Sequence, residues 1–314
     1  MKVSYDWLCD FLNFREIGIG PKELGDVLVK LGFSLDAIEE ISNDIVFDLE
    51  ISSNRPDCLS HLGISRELAV HFGMDLCMPD LTSPVGQKGL ETFSVSVLEK
   101  ELCPHYTARL IQNVSVKSSP EWLKKRLEKL GHKSINNIVD ITNYVMLHIG
   151  QPLHGFDFEK VNGSSIVVRR AFSGERLKTI DGSEQELDED MLLICDSENP
   201  IAIAGVIGGN ETEVGCGTSV VLLESAYFDP FQVRRTSRKL GLNTEASYRF
   251  ERGSDVELPL LGLNLAIRLI KQTDKDCQVS KSVLDSYSGD KKNGGITLTA
   301  NRIRQVIGVE IADE

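Results

Sequence analysis

The sequence holds no run of about 18 apolar residues and no basic segment leading into a signal-type apolar stretch, so neither a spanning helix nor a secretory leader is legible in it. A cytoplasmic protein is expected. It also lacks any CxxC pair. Its seven cysteines (Cys9, Cys58, Cys77, Cys103, Cys195, Cys216 and Cys277) stand singly and in odd number, which argues against a disulfide framework and a zinc knuckle and for reduced thiols. Positive charge is in deficit: 34 lysines and arginines face 47 acidic residues, a net charge of −13. Such a balance disfavours coating by nucleic acid, although a local basic stretch can still meet a polyanion. Phosphate-loop spacings of the GxGxxG and GxxxxGK[ST] kind are missing, as are internal repeats and low-complexity tracts. Neither His148 nor His154 has a partner at metal-ligand spacing, so no metal is expected.

What is present reads as two domains and a fragment, the natural division of 314 residues. Ser4 is placed to cap a helix with Trp7, Leu8, Phe11 and Leu12 on its apolar face, and Pro21 opens a second helix that stops at Gly32. Alternation from Ile45 to Ile51 predicts a strand. The NRPDC segment turns the chain, and Ser60 caps a helix running through Phe72 to Gly73. PDLTSPVGQKG (79–89) reads as a linker. Beyond it, strands are expected at 93–97, 105–116, 165–171, 191–195, 201–206 and 219–224, with an Asp181-Gly182 hairpin turn. Helices are expected at 120–130, 136–148, 230–240 and 256–272. Strands cluster centrally without strict βαβ alternation, so the fold class is α+β. SGDKKNGG reads as a second linker, and ITLTANRIRQVIG as a strand followed by the first turns of a helix.

Four segments carry polar groups that are costly to bury unpaired. IVDITNYVMLHIGQPLHGFD (138–157) offers Thr142 and Asn143 on a helix and His154 after a glycine-proline break. A lone histidine there is more often structural than catalytic. IAIAGVIGGNETEVG (201–215) ends an apolar strand in glycines that permit close approach of a ligand, or merely a bulge. VVLLESAYF (220–228) sets Glu224 on a strand apolar on both faces, where the bland expectation is pairing with an arginine. DPFQVRRTSRKLGLNTEASYRFERG gathers Arg234, Arg235, Arg238, Lys239, Arg249 and Arg252. Such a run is usually a solvated face, yet on an acidic chain it is also a contact for a phosphate backbone.

Taken together, SSNRPDCLSHLGISRELA (52–69), SINNIVDITNYVMLHIGQPLHGFD (134–157), AIAGVIGG (202–209), LLESAYF (222–228) and RKLGLNTEASYRFERGSD (238–255) closely resemble the beta subunit of bacterial phenylalanyl-tRNA synthetase, in that family's order. The resemblance implies a small N-terminal α/β domain (1–85), a larger mixed-sheet B3/B4 editing domain (90–288) and the start of a further B5-type domain (295–314). It implies a pocket that hydrolyses tyrosine wrongly attached to tRNA(Phe). Glu224 would accept the tyrosine phenol while Gly208 and Ala246 leave room for the ring. Thr142, Asn143, His154 and Thr244 would position the ester and its attacking water. Arg234, Arg235, Arg238 and Lys239 would touch tRNA. The partners implied are tRNA(Phe) and the alpha subunit, which in the family carries aminoacylation with its ATP and magnesium, so no cofactor is expected in this chain. The family's usual oligonucleotide-binding insertion is missing, because only SLDAIEEISND separates Phe33 from the strand at Ile45. The regions that meet the alpha subunit would lie downstream. The alternative is a non-catalytic tRNA- or protein-interaction module with a vestigial pocket. An unrelated nucleotide-using enzyme built on AGVIGG is disfavoured by the absent phosphate loop.

Overall fold

The computed structural model describes residues 1–87, 93–289 and 295–312. The first unit begins with β1 (Lys2–Ser4), α1 (Tyr5–Leu8) and α2 (Pro21–Lys30). The Ser4 hydroxyl caps α1 by accepting from the Trp7 amide at 3.0 Å. Phe11 and Leu12 lie beyond that short helix yet remain buried. SLDAIEEI, which reads in the sequence as a connector, is β2 (Ser34–Ile41). It turns through Ser42 and Asn43, both at positive φ (50° and 60°), onto β3 (Asp44–Glu50), giving a sheet in the order β1-β3-β2. A bulge between Leu35 and Ala37 breaks the two-residue period of β2, which hides it from pattern reading. Helix α3 (His61–Phe72) runs from the Ser60 cap to Gly73 at φ 65°, as the sequence predicts.

The second unit starts with β4 (Ser94–Val97), β5 (His105–Gln112), α4 (Glu121–Lys129), α5 (Asn137–Ile149), β6 (Leu153–Asp157) and β7 (Ser165–Arg170). The hairpin β8 (Arg176–Lys178) and β9 (Glu184–Glu186) closes around Asp181-Gly182, as expected. Then come β10 (Leu192–Cys195), β11 (Pro200–Ile203), β12 (Ile207–Gly208), β13 (Val220–Tyr227), α6 (Pro230–Leu240), α7 (Glu245–Phe250), α8 (Leu258–Thr273), β14 (Gln278–Val279) and β15 (Leu284–Tyr287). One sheet has the order β12-β11-β10-β7-β4; the other runs β14-β5-β13-β6, with β15 also on β5. Only the β4–β7 pair among these strands is parallel, so the architecture is α+β. Residues 88–89 of the first expected linker and 290–294 of the second lie outside the described residues. Ile296–Thr299 forms no strand, and α9 (Ala300–Ile307) follows with no buried residue.

Strand β13 is buried on both faces. Val221 and Leu223 join a core built from α5, α8 and the first unit, whereas Leu222 and Ala226 join the core between the two sheets. The first of these cores crosses the expected domain boundary without a break. Polar contacts cross it too: the Trp7 indole N–H donates to Nδ1 of His148 at 2.8 Å, and Arg249 Nε donates to the Leu59 carbonyl at 3.1 Å. Arg109, 2 % exposed, fastens the linker by donating to the carbonyls of Pro84 and Ser280. Among the described residues no helix is long and apolar enough to cross a membrane.

Candidate functional site

The cavity begins with local chain breaks. Asn136 caps α5 by accepting from the amides of Ile138 and Val139, and Gly150 ends that helix at φ 90°, releasing the chain into β6. Strand β6 pairs with β13 so that His154 lies opposite Glu224, and on the other side Ala108 of β5 does the same. Helix α7, not foreseen in the sequence, starts at Thr244 with a reciprocal cap between Thr244 and Ser247. Its short span and serine in place of the usual Glu or Gln hide the signal. Between α5, β6, β13, the β11–β12 turn, the β8–β9 hairpin and α7 lies a cavity of about 420 Å³ with largely apolar walls. Thr142, Asn143, His154, Gly208, Glu224, Thr244 and Ala246 all line it.

Glu224 is 7 % exposed, and its partner is a tyrosine where an arginine was the bland expectation: the Tyr106 phenol donates to Oε2 at 2.7 Å. Register explains the reach. Ala226 is opposite Tyr106 and Ala108 is opposite Glu224, so two small residues leave space for the ring to lean diagonally across the strands. Burial pushes the Glu224 carboxyl up to about 7, with the Tyr106 hydrogen bond acting in the other direction. Tyr106 is a residue that sequence reading missed; a tyrosine inside an apolar strand carries no signal of its partner.

His154 is half-buried, its Nε2 is out of solvent and has no hydrogen-bond partner, and burial lowers its pKa to about 4. The imidazole is therefore neutral and lines the cavity, with its unpartnered Nε2 packed against Gly208. Gly208 serves it directly: a Cβ built there would meet the imidazole Cε1 at 2.4 Å. The room left by this glycine is filled by His154, a change from the expectation that it stays open for a ligand ring. The two threonines are also more committed than the sequence suggests. Thr142 donates its hydroxyl to the Val139 carbonyl at 2.7 Å and Thr244 donates to the Val206 carbonyl at 2.8 Å, so toward the cavity both can only accept. Asn143 is half-buried, with its amide open among the described contacts.

Arg234, Arg235, Arg238 and Lys239 line no part of the cavity and stand exposed along α6. Arg235 pairs with Asp190 and Lys239 with Asp188, while Arg234 and Arg238 show no ion pair among the described residues. Arg249 leaves the basic group that the sequence suggests: it is 2 % exposed and bonded to Glu245 and Leu59. Asp57, Cys58 and Glu67 converge closely, but the Arg55 guanidinium bonds both carboxylates and supplies the countercharge.

The family model for the B3/4 domain matches residues 102–275, which hold every cavity-lining residue named above. Curated relatives include the phenylalanine–tRNA ligase beta subunit of Desulfotalea psychrophila, 43 % identical over 96 % of this chain and 37 % of the relative. That of Syntrophus aciditrophicus is 40 % identical over 99 % of this chain and 39 % of the relative. The chain thus spans under two fifths of the length of these relatives. Among solved structures, an N-terminal fragment of the phenylalanyl-tRNA synthetase beta subunit from Pyrococcus horikoshii is 17 % identical with a TM-score of 0.43, covering 100 % of this chain and 86 % of that one.

Proposed function

Because the chain belongs to the phenylalanine–tRNA ligase beta-subunit family, we propose that its cavity hydrolyses tyrosine wrongly esterified to tRNA(Phe). The observation that carries this reading is Glu224, a buried carboxylate on the wall of an apolar cavity, held from behind by a phenol. A pocket shaped for phenylalanine rejects an added hydroxyl poorly, by roughly 10²-fold, so a second site that accepts that hydroxyl is the physical remedy. A volume of about 420 Å³ suits one aminoacyl group.

In this mechanism the tyrosine ring enters between apolar walls and its phenol donates to Glu224. The α-ammonium is met by acceptors, for which the spent hydroxyls of Thr142 and Thr244 are suited, and the Asn143 amide donates to the ester carbonyl. A water placed beside the neutral imidazole of His154 attacks the carbonyl carbon. Its oxygen bonds to that carbon, the bond to the ribose oxygen breaks, the ribose oxygen takes one proton, and the new acid ionises. The hydroxyls of the tRNA terminus share in moving these protons. Attachment of phenylalanine, with ATP and magnesium, belongs to the alpha subunit, which together with tRNA(Phe) is the proposed partner in the cytoplasm. Arg234, Arg235, Arg238 and Lys239 are assigned to the tRNA backbone.

A second reading, a tRNA- or protein-interaction module with an inactive pocket, is favoured by the commitment of both threonine hydroxyls to backbone carbonyls. The two readings separate when tyrosine-charged tRNA(Phe) is incubated with the chain and the alpha subunit. Ester loss is expected, falling by roughly 10²-fold in Glu224→Ala. Binding of the tRNA without ester loss would give the result to the second reading.

A further inference from the structure

Glu224 faces the cavity on one side and the closed interior on the other, and the interior side is occupied by a residue that the proposed reaction does not use. Tyr106 is 0 % exposed, lines no part of the cavity, and its phenol has one acceptor among the described residues, Oε2 of Glu224 at 2.7 Å. Its proton is therefore directed to that oxygen. Any proton that Glu224 itself binds must sit on the other oxygen, the one left for a ligand.

On the reading of the cavity given above, we propose that Tyr106 is a positioning residue that holds Glu224 as an ionised acceptor aimed into the cavity, and so sets the pH above which a phenol is preferred to a plain phenyl ring.

The chemistry follows from the geometry. An ionised oxygen accepting a phenol makes a bond roughly twice as strong as a neutral pair. A carboxylate donated to by a fixed phenol loses less on ionising in a dry site than one left alone. The groups facing Glu224 leave this work to Tyr106. Cys103 is buried with its thiol pushed well up and hence neutral, His154 opposite Glu224 on β6 is neutral above about 4, and the other titratable residues lining the cavity, Asp181, Glu213 and Glu245, are acids that bring no positive charge. No lysine or arginine lines the cavity among the described residues.

The test uses the whole 314-residue chain and two small probes, tyrosinamide and phenylalaninamide, bound calorimetrically between pH 5.5 and 8.5. Taking the ratio of their affinities cancels the titration of the shared α-amino group. In the wild type the preference for tyrosinamide is expected to rise with pH. Tyr106→Phe is expected to move that rise to higher pH by about half a unit or more, with preference recovered at the alkaline end. Replacing Tyr106 by 3-fluorotyrosine, a stronger donor of nearly the same shape, is expected to move it the other way. Should Tyr106→Phe fail to fold, the fluorinated chain carries the test alone. Unchanged midpoints, or an equal loss of preference at every pH, overturn the proposal and leave the cavity's function standing. A wild-type chain that never distinguishes the two amides removes that function, and the proposal with it.

Discussion

At the scale of the residue, Glu224 is a liability to the fold. Its pKa of about 7 lies above the value of about 4.3 expected for an unfolded chain, so the folded protein binds the extra proton between those limits. The group's favourable contribution is complete below about pH 4 and is lost as pH rises through 7. Glu224→Gln is therefore expected to raise the unfolding free energy at pH 8 by up to roughly 3 kcal/mol and to change little at pH 4.5, as measured by urea denaturation at both values. A destabilising residue at the wall of a cavity is what a site retained for chemistry looks like. Its burial was legible from the apolar residues on both faces of the strand, whereas its partner was not, because register between β5 and β13 depends on pairings more than 100 residues apart.

At the scale of the element, the contact between α5 and the first unit is a stack of rings: Trp7 lies against His61, Tyr144 and His148, with ring centroids 4.2, 4.7 and 6.0 Å away. Nε2 of His61 accepts from the Ser4 amide and Nδ1 of His148 accepts from Trp7, so adding a proton to either ring turns an acceptor into a donor facing a donor. Burial lowers both histidines to about 3, below the unfolded value of about 6.5. The unfolded chain thus binds more protons between those limits, and stability falls as pH drops through that window. His148→Gln keeps an acceptor for the indole and should reduce the proton uptake on unfolding at pH 5 by about one, a difference readable from denaturation across pH 4.5–6.

Elements also show where sequence reading runs out. Helices with a side-chain cap and a glycine stop, such as α3 and α6, were legible to within a residue. The short β12, β14 and α7 were not, since two to six residues cannot display a period. Strand β6 was hidden by its glycine and by the helix break just before it. Even so, all seven residues that the family resemblance assigns to the pocket line one cavity, a convergence that local pattern reading alone does not supply.

At the scale of the whole molecule, a chain of net charge −13 reaches a polyanion only through a local patch, and the exposed face of α6 is the proposed one. Arg234 and Arg238 are the informative pair, because Arg235 and Lys239 already answer acidic neighbours. Changing both to glutamine should weaken tRNA(Phe) binding and flatten the slope of log affinity against log salt by about one per lost phosphate contact. Filter binding across a salt series would reveal it; an unaltered slope would move the contact elsewhere.

The unbroken apolar cluster shared by the two units bears on how the molecule can be cut. Harvesting the cavity-bearing half alone, by starting a clone near residue 93, would strip α5 and α8 of the partners that keep them dry and release the Arg249 guanidinium from the Leu59 carbonyl. Such a piece would carry a raw greasy wound and a slack hinge under its own binding wall, so the front section serves as scaffolding for the back.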